Sequence, residues 1–571
     1  MASYKETLIQ KRRILYLLLG VFLTTILVFI RLFYLQVVRH KDFSALATSQ
    51  HWTRSTLLAK RGQILVEDYY THELYPIALN QALDMVFVVP AEIEDREETA
   101  LRLSEILNIE KEKILEMFEL GPYYAPIKHK LTEEETKAIE EAKLKGVMVT
   151  SEQWRYYPEG ELLSQVLGFV DRDGNGKYGI EEVYNNILVG KSGVFKGEKD
   201  PSGIPIVFGE NFLEPPKDGD NLVLTINRDI QLIVEQKLKE AVEKHRADGG
   251  SVIVMDPNNG AVLAMANYPT FDSNKYEEVN QDSYYVFNNP CVAGEFEPGS
   301  VFKIVTMAAG LDSGKIEPED TFYDTGSKTI NGRTITNANE KTYGKVTMTQ
   351  VLAQSINLGT VHILSEMGKD IFYSYIKKFG LGVKTGIDAP YEAFGKVFEP
   401  HEVGDHHYAT MTFGQGISIT PIQLATVASA IANGGNLVQP HLIKKILKEG
   451  KNEEVKEYNL IGQVISPATA ANLTKMMIKV VEEGHGYQAK IKGYKIAGKT
   501  GTAQVPAVSG YDPNKTIGSF VGFAPALDPK FVILVKIDVP RDVVWAESTA
   551  VPVFGEIADF LLKYFQIPPS E

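Results

Sequence analysis

Hydrophobic and polar positions change texture three times along the chain, and each texture predicts a different kind of element. Residues 14–30 form an uncharged, mostly apolar run that resumes after Arg31 and continues to Val38, long enough to cross a bilayer as one helix. From residue 39 to about 217 apolar residues come in short groups between charged ones. There Arg61-Gly62-Gln63-Ile64 opens a strand, residues 97–107 carry a helical period, and Thr132 and Glu135 have capping-box spacing at the head of another helix. Residues 146–149 and 166–170 read as two further strands. The whole stretch has the character of an elongated spacer domain without a compact catalytic pattern.

From Asn221 the elements lengthen. Residues 222–226 predict a strand, and Ile230, Ile233, Val234, Leu238, Ala241 and Val242 mark one face of a helix. Strands at 251–255 and 261–266 are joined by Asp256-Pro257-Asn258-Asn259-Gly260, whose Asn-Gly end is a hairpin signal. Residues 494–505, 516–523 and 531–538 read as three more strands, and 549–565 as a closing apolar helix. A helix, five strands and a helix, with more helices inserted between, predict an α+β domain built on an antiparallel sheet.

Length and charge narrow the picture. The 571 residues allow two or more domains, and 73 acidic against 59 basic residues weigh against a nucleic-acid partner. A single cysteine, Cys291, rules out an intrachain disulfide and a cysteine metal site, and reads as a small buried residue. Lys11, Arg12 and Arg13 precede the apolar run, so the positive-inside rule places residues 1–13 in the cytoplasm, 14–38 in the membrane, and 39–217 and 218–571 on the outer side. A cleaved signal peptide is the rival reading, but its small-x-small site, Ala45-Leu46-Ala47, stands far beyond the apolar core.

Candidate chemistry begins at Pro298-Gly299-Ser300-Val301-Phe302-Lys303, where a Pro-Gly turn leads into an apolar helix. Ser300 and Lys303 share a helix face, and a lysine held neutral by burial can take the proton of a serine nucleophile. The same four-residue pattern recurs at Ser374-Tyr375-Ile376-Lys377 in a basic helix, so spacing alone does not decide. Order does more: Ser355-Ile356-Asn357 follows, and Lys499-Thr500-Gly501-Thr502 runs into a strand, unlike its duplicate Lys384-Thr385-Gly386 in a loop. These residues suit acyl transfer. Ser300 attacks a carbonyl, Lys303 accepts and returns the proton, and Ser355 and Asn357 relay protons and hold a substrate amide. The N–H groups of Ser300 and Thr502 form an oxyanion hole, while Lys499, Thr500 and Thr502 receive a carboxylate. Gly498 and Gly501 leave room for an extended peptide to pair with the strand.

Two metal patterns compete. Asp171, Asp173, Asn175 and Glu182, with Gly176 between, match a calcium-loop spacing, although the upstream segment reads as a strand and Tyr178 replaces an aliphatic residue. His401-Glu402-Val403-Gly404-Asp405-His406-His407 is one residue too long for the zinc-helix spacing and reads as a polar loop.

The ordered set of three motifs resembles that of penicillin-binding proteins and class A β-lactamases. Together with the apolar anchor, Arg61-Gly62-x-Ile64, Gly179-Ile180-Glu181, Asp256-Pro257, Glu297-Pro298-Gly299-Ser300 and Lys499-Thr500-Gly501-Thr502-Ala503-Gln504, it resembles the class B penicillin-binding proteins over nearly the whole length. Ser355-x-Asn357 and the segment from Phe413 to Pro421 are closer to the division type than to the elongation type. The resemblance implies a penicillin-binding-protein/β-lactamase-like transpeptidase fold, a five-stranded antiparallel sheet with helices on both sides, behind a spacer and a single membrane helix. It implies a peptidoglycan D,D-transpeptidase that needs no cofactor, crosslinks stem peptides ending in D-Ala-D-Ala, and is acylated by β-lactams. A separate membrane glycan polymerase and division proteins are the partners so implied. A D,D-carboxypeptidase, a lactamase and a non-hydrolysing β-lactam sensor are the alternatives. Val66-Glu67-Asp68 and His485 depart from the family pattern.

Overall fold

The computed structural model describes residues 2–41, 43, 52–198, 211–448, 453–507 and 510–569; Ala45-Leu46-Ala47 lies outside them. Two units emerge, residues 1–59 with 190–218, and residues 60–189 with 219–571. In the first, the helix Ala2–Phe33 continues through a wider-pitched turn, Tyr34–Val38. Its segment Lys11–Val38 is long and apolar enough to cross a membrane, and its apolar side chains are exposed, as expected of a helix whose solvent is lipid. The same unit holds a three-stranded antiparallel sheet in the order Trp52–Leu57, Gly193–Glu198, Asn211–Glu214.

In the second unit the predicted antiparallel sheet forms from β1 (Gly249–Met255), β2 (Val262–Tyr268), β3 (Ala497–Ala507), β4 (Gly510–Ala524) and β5 (Phe531–Asp538), in the order β2-β1-β5-β4-β3. Because side chains alternate along a strand, Val252 and Val254 face one layer and Ile253 and Met255 the other. The first layer is α1 (Arg228–Lys244) with α6 (Ala550–Tyr564); Val234, Leu238, Phe554 and Ile557 fill it. The second is larger and contains α2 (Lys303–Asp312), α3 (Asn357–Met367), α4 (Pro421–Ala432) and α5 (Pro467–Glu482). Helix α4 is buried along nearly its whole length, which its lack of charged residues permits. β3 lies at the edge of the sheet, with β4 as its one strand neighbour.

A second sheet of seven strands joins segments far apart in the chain. Ile64–Glu67 runs parallel to Asn221–Leu224, with Ile64 opposite Leu222 and Leu65 opposite Val223. On its other side Ile64–Glu67 pairs antiparallel with the long strand Leu74–Val88, which in turn pairs with Ala125–Lys128 and Val147–Tyr156. Asn221–Leu224 also pairs with Ile443–Leu447. Beside the sheet, Glu181 is fully buried and receives Arg61 Nε at 2.7 Å and Arg155 Nε at 2.7 Å. The Arg61-Gly62 and Gly179-Ile180-Glu181 motifs therefore meet in one buried ion cluster.

One sequence expectation needs correction here. Residues 166–170 are not one strand: Ser164–Leu167 forms a helical turn, Gly168 takes a positive φ of 76°, and only Phe169–Val170 is extended. The calcium-loop residues form a hairpin. Asp171 Oδ1 accepts the N–H groups of Asp173 and Asn175 at 3.1 and 2.8 Å, and Phe169–Val170 pairs with Gly176–Lys177. Glu182 turns to Tyr178 N and the Tyr391 hydroxyl. Among the described residues no group of three or more acidic, histidine or cysteine side chains is arranged to hold a metal ion.

Candidate active site

Ser300 sits on a single 3-10 turn, Gly299–Phe302, from which α2 continues at Lys303. This turn lies against β3, and the packing depends on missing side chains. A Cβ on Gly501 would fall 2.9 Å from Pro298 O and 3.0 Å from Val301 Cγ1, and one on Gly498 would fall 2.4 Å from the Phe520 ring. The two glycines thus let β3 approach the serine turn and the core, which corrects the expectation that they make room for a peptide.

Lys303 is fully buried. Its Nζ donates to Ser355 O at 2.5 Å and to Asn357 Oδ1 at 2.7 Å, and lies 3.2 Å from Ser355 Oγ. Burial, and then the charge of Lys499, push its pKa well below that of a free lysine. A neutral amine has two N–H groups and one lone pair. The two carbonyl oxygens can only accept, so they take both hydrogens and leave the lone pair for a hydroxyl.

Ser355 Oγ also lies 3.1 Å from Lys499 Nζ, so one hydroxyl bridges two buried amines. The backbone of Ser355 is held at φ 55°, a left-handed conformation that a serine adopts at a cost. Lys499 is likewise fully buried, and its Nζ donates to Thr500 O at 3.0 Å. Burial lowers its pKa to about 7, with Glu547 opposing the shift. Glu547 is in turn paired with His485 at 2.6 Å. Thr502 Oγ1 accepts the N–H of Ala546 at 3.1 Å, which ties β3 to the turn carrying Glu547.

Ser300, Ser355, Asn357, Thr500 and Thr502 line one cleft of about 1110 Å³, and Glu297, His485 and Glu547 line it too. The structure therefore brings the three motifs together. The duplicates stay apart from them: Ser374 Oγ bonds its own helix at Ile371 O, and Thr385 and Gly386 give their N–H groups to Glu392 in a loop. Cys291 is buried against Asn267 Oδ1 at 3.2 Å, with burial raising its thiol to about 12. His407 Nε2 bonds Gly416 O at 2.9 Å on the short helix Asp405–Met411. The sequence reading did not single out Glu297 or Glu547 as site residues. Glu297 directly precedes Pro298-Gly299, and its carboxyl, raised by burial, receives Gly416 N and Tyr511 Oη. Glu547 has no sequence signal, being brought in from beyond the last strand.

The chain matches known proteins along the same architecture. Residues 250–559 match the penicillin binding protein transpeptidase domain, and residues 53–224 the penicillin-binding protein dimerisation domain. Stage V sporulation protein D of Bacillus subtilis is 36% identical over 99% of this chain and 87% of that protein. The peptidoglycan D,D-transpeptidase FtsI of Buchnera aphidicola is 31% identical over 96% of this chain and 94% of that one. A crystal structure of penicillin binding protein 3 from Mycobacterium tuberculosis, complexed with aztreonam, superposes with a TM-score of 0.70 at 26% identity, covering 90% of this chain and 98% of that one. With both domains matched and the motifs assembled in one cleft, the chain belongs to the class B penicillin-binding proteins.

Proposed function

We propose that this peptidoglycan D,D-transpeptidase crosslinks stem peptides ending in D-Ala-D-Ala through an acyl-enzyme on Ser300. The observation that carries the reading is the buried Lys303 amine, one turn from Ser300, with both its hydrogens occupied by carbonyl oxygens. Ser300 Oγ gives its proton to Lys303 Nζ as it attacks the carbonyl of the penultimate D-Ala. The oxyanion is received by the N–H groups of Ser300 and Thr502. Collapse breaks the peptide bond, and the proton passes from Lys303, by way of Ser355 Oγ, to the leaving D-Ala nitrogen. An acceptor amine then attacks the ester, losing a proton along the same path, and Ser300 recovers its own. Lys499, Thr500 and Thr502 hold the terminal carboxylate of the donor. A β-lactam enters the first half of this cycle by opening its ring amide on Ser300.

The apolar segment of residues 14–38 anchors the protein in the membrane, and Lys11, Arg12 and Arg13 before it support an outer-side location for the catalytic unit. A separate glycan polymerase supplies the strands to be crosslinked. A relative named for sporulation and one named as a peptidoglycan D,D-transpeptidase both align over most of the chain, and the division-type form of Ser355-x-Asn357 and of the segment from Phe413 to Pro421 supports cell-wall synthesis at division as its place of action. The test is incubation of the full chain with a fluorescent penicillin, followed by mass mapping. Label on Ser300, absent in S300A, is expected; label on Ser374 would overturn the assignment. Crosslinking in the presence of an amine acceptor distinguishes the transpeptidase from a D,D-carboxypeptidase.

A further inference from the structure

The helix that presents Asn357 to the catalytic lysine starts without a cap of its own. Ile356 precedes α3 and has no side-chain acceptor, so the first N–H groups need partners from elsewhere. One comes from just past the hairpin Ser327–Thr336, at the cleft edge. Asn337, 3% exposed, accepts Leu358 N on its Oδ1 at 3.1 Å. Its Nδ2 is held by both carboxylate oxygens of the fully buried Asp324, at 3.0 and 2.9 Å, and by Lys341 O at 2.9 Å. Asp324 further accepts Tyr343 N at 2.8 Å and Gly326 N at 3.3 Å, closing the segment on itself.

The residue before Asn337 completes the arrangement. Thr336 O accepts Asn357 Nδ2 at 3.0 Å, and this fixes which end of the Asn357 amide faces Lys303. With its nitrogen turned to Thr336, Asn357 can offer Lys303 only an acceptor, Oδ1 at 2.7 Å. Reversal of that amide would aim N–H groups at the lysine and compete for its lone pair. We propose that Asn337, braced by Asp324, is a positioning residue for the reaction: a helix cap supplied from just past the neighbouring hairpin that holds Asn357 with its carbonyl toward the catalytic amine. Neither side chain touches substrate; both act through Asn357. The inference rests on Lys303 being the base.

The test uses the full chain in detergent, with penicillin acylation followed by stopped flow and the rate constant expressed per titratable active site. N337A is expected to lower the acylation constant about 10- to 100-fold, the scale of losing orientation at a catalytic group. The noncovalent dissociation constant for penicillin should stay unchanged. N337D sets two carboxylates against each other and should be slower still. Should N337A not fold, N337S carries the same measurement. A loss confined to the number of titratable sites, with the rate per site within twofold of the parent, would overturn the proposal. The parent idea fails separately, through Ser300 remaining unlabelled or K303M acylating at full rate.

Discussion

Replacing Gly501 by alanine separates two accounts of the same glycine. The added Cβ would stand 2.8 Å from Ser519 Oγ, 2.9 Å from Pro298 O and 3.0 Å from Val301 Cγ1. Ser519 can rotate its hydroxyl away; Pro298 O is backbone, two residues from Ser300, and cannot. Relief of that contact moves the serine turn off β3 by up to about half an ångström, at a cost of about 1–3 kcal/mol. Misplacement of this size at a reacting group costs up to about 100-fold in rate. G501A should therefore acylate about 10- to 100-fold more slowly, chiefly in the covalent step, with a melting temperature lower by a few degrees. If the glycine instead served to admit a peptide, penicillin or substrate affinity would fall and the covalent step would be spared. G498A is the control, because its Cβ meets the Phe520 ring in the core away from the turn. It should destabilise more and slow acylation per active site less. Stopped-flow acylation and thermal melts on the two variants decide the matter; G501A acylating at the parent rate, or G498A being the slower enzyme per site, would refute the reasoning.

Further outcomes follow from the two lysines. K303M should reduce acylation by about 10²- to 10⁴-fold, the usual worth of a general base, while leaving the fold intact; pre-steady-state labelling measures this. K499M removes the charge that disfavours protonation of Lys303, so the acid limb of the acylation profile should move to higher pH; a limb that stays or moves down contradicts the coupling. Lys499 itself, lowered to about 7, loses its charge above that pH, so affinity for a carboxylate-bearing β-lactam should weaken between about pH 7 and 9, read as the noncovalent dissociation constant. The same group gives a stability signature. Its folded pKa is about 7 against a model-peptide value of 10.5, so the unfolded chain binds the extra proton in that window, and the parent should gain stability relative to K499M as pH rises through it.

Much of the chain was readable where local pattern and tertiary demand agree. The strand at 531–538 is buried almost throughout and forms as read, and the Thr132–Glu135 capping box is present in both directions. The closing helix, read at 549–565, forms over Ala550–Tyr564. Residues 166–170 misled because Gly168 lets an apolar run change direction, which an alternation test does not register. The strand at 516–523 extends back to Gly510, since its partner β3 continues to Ala507 and the ladder follows. At the site, the residues that converge on one cleft, Ser300, Ser355, Asn357, Thr500 and Thr502, were legible from type and order. Ser355's left-handed backbone and the Asn337 cap were not, because each depends on a contact between segments that no spacing records.

The parallel pairing of Ile64–Glu67 with Asn221–Leu224 bears on how such chains can be recombined. Asn221–Leu224, the first strand after residue 217, is hydrogen-bonded into the sheet of the spacer, and its far edge is paired with Ile443–Leu447 from deep within the catalytic module. A cut at residue 217 would leave both halves with a broken sheet: one without Leu222 and Leu224, the other with an apolar edge bare to self-association. Spacer and catalytic modules cannot then be traded between relatives as independent cassettes. A chimera that respects the hydrogen bonds must take 64–67, 221–224 and 443–447 from one parent, so the three strands are inherited as a single block.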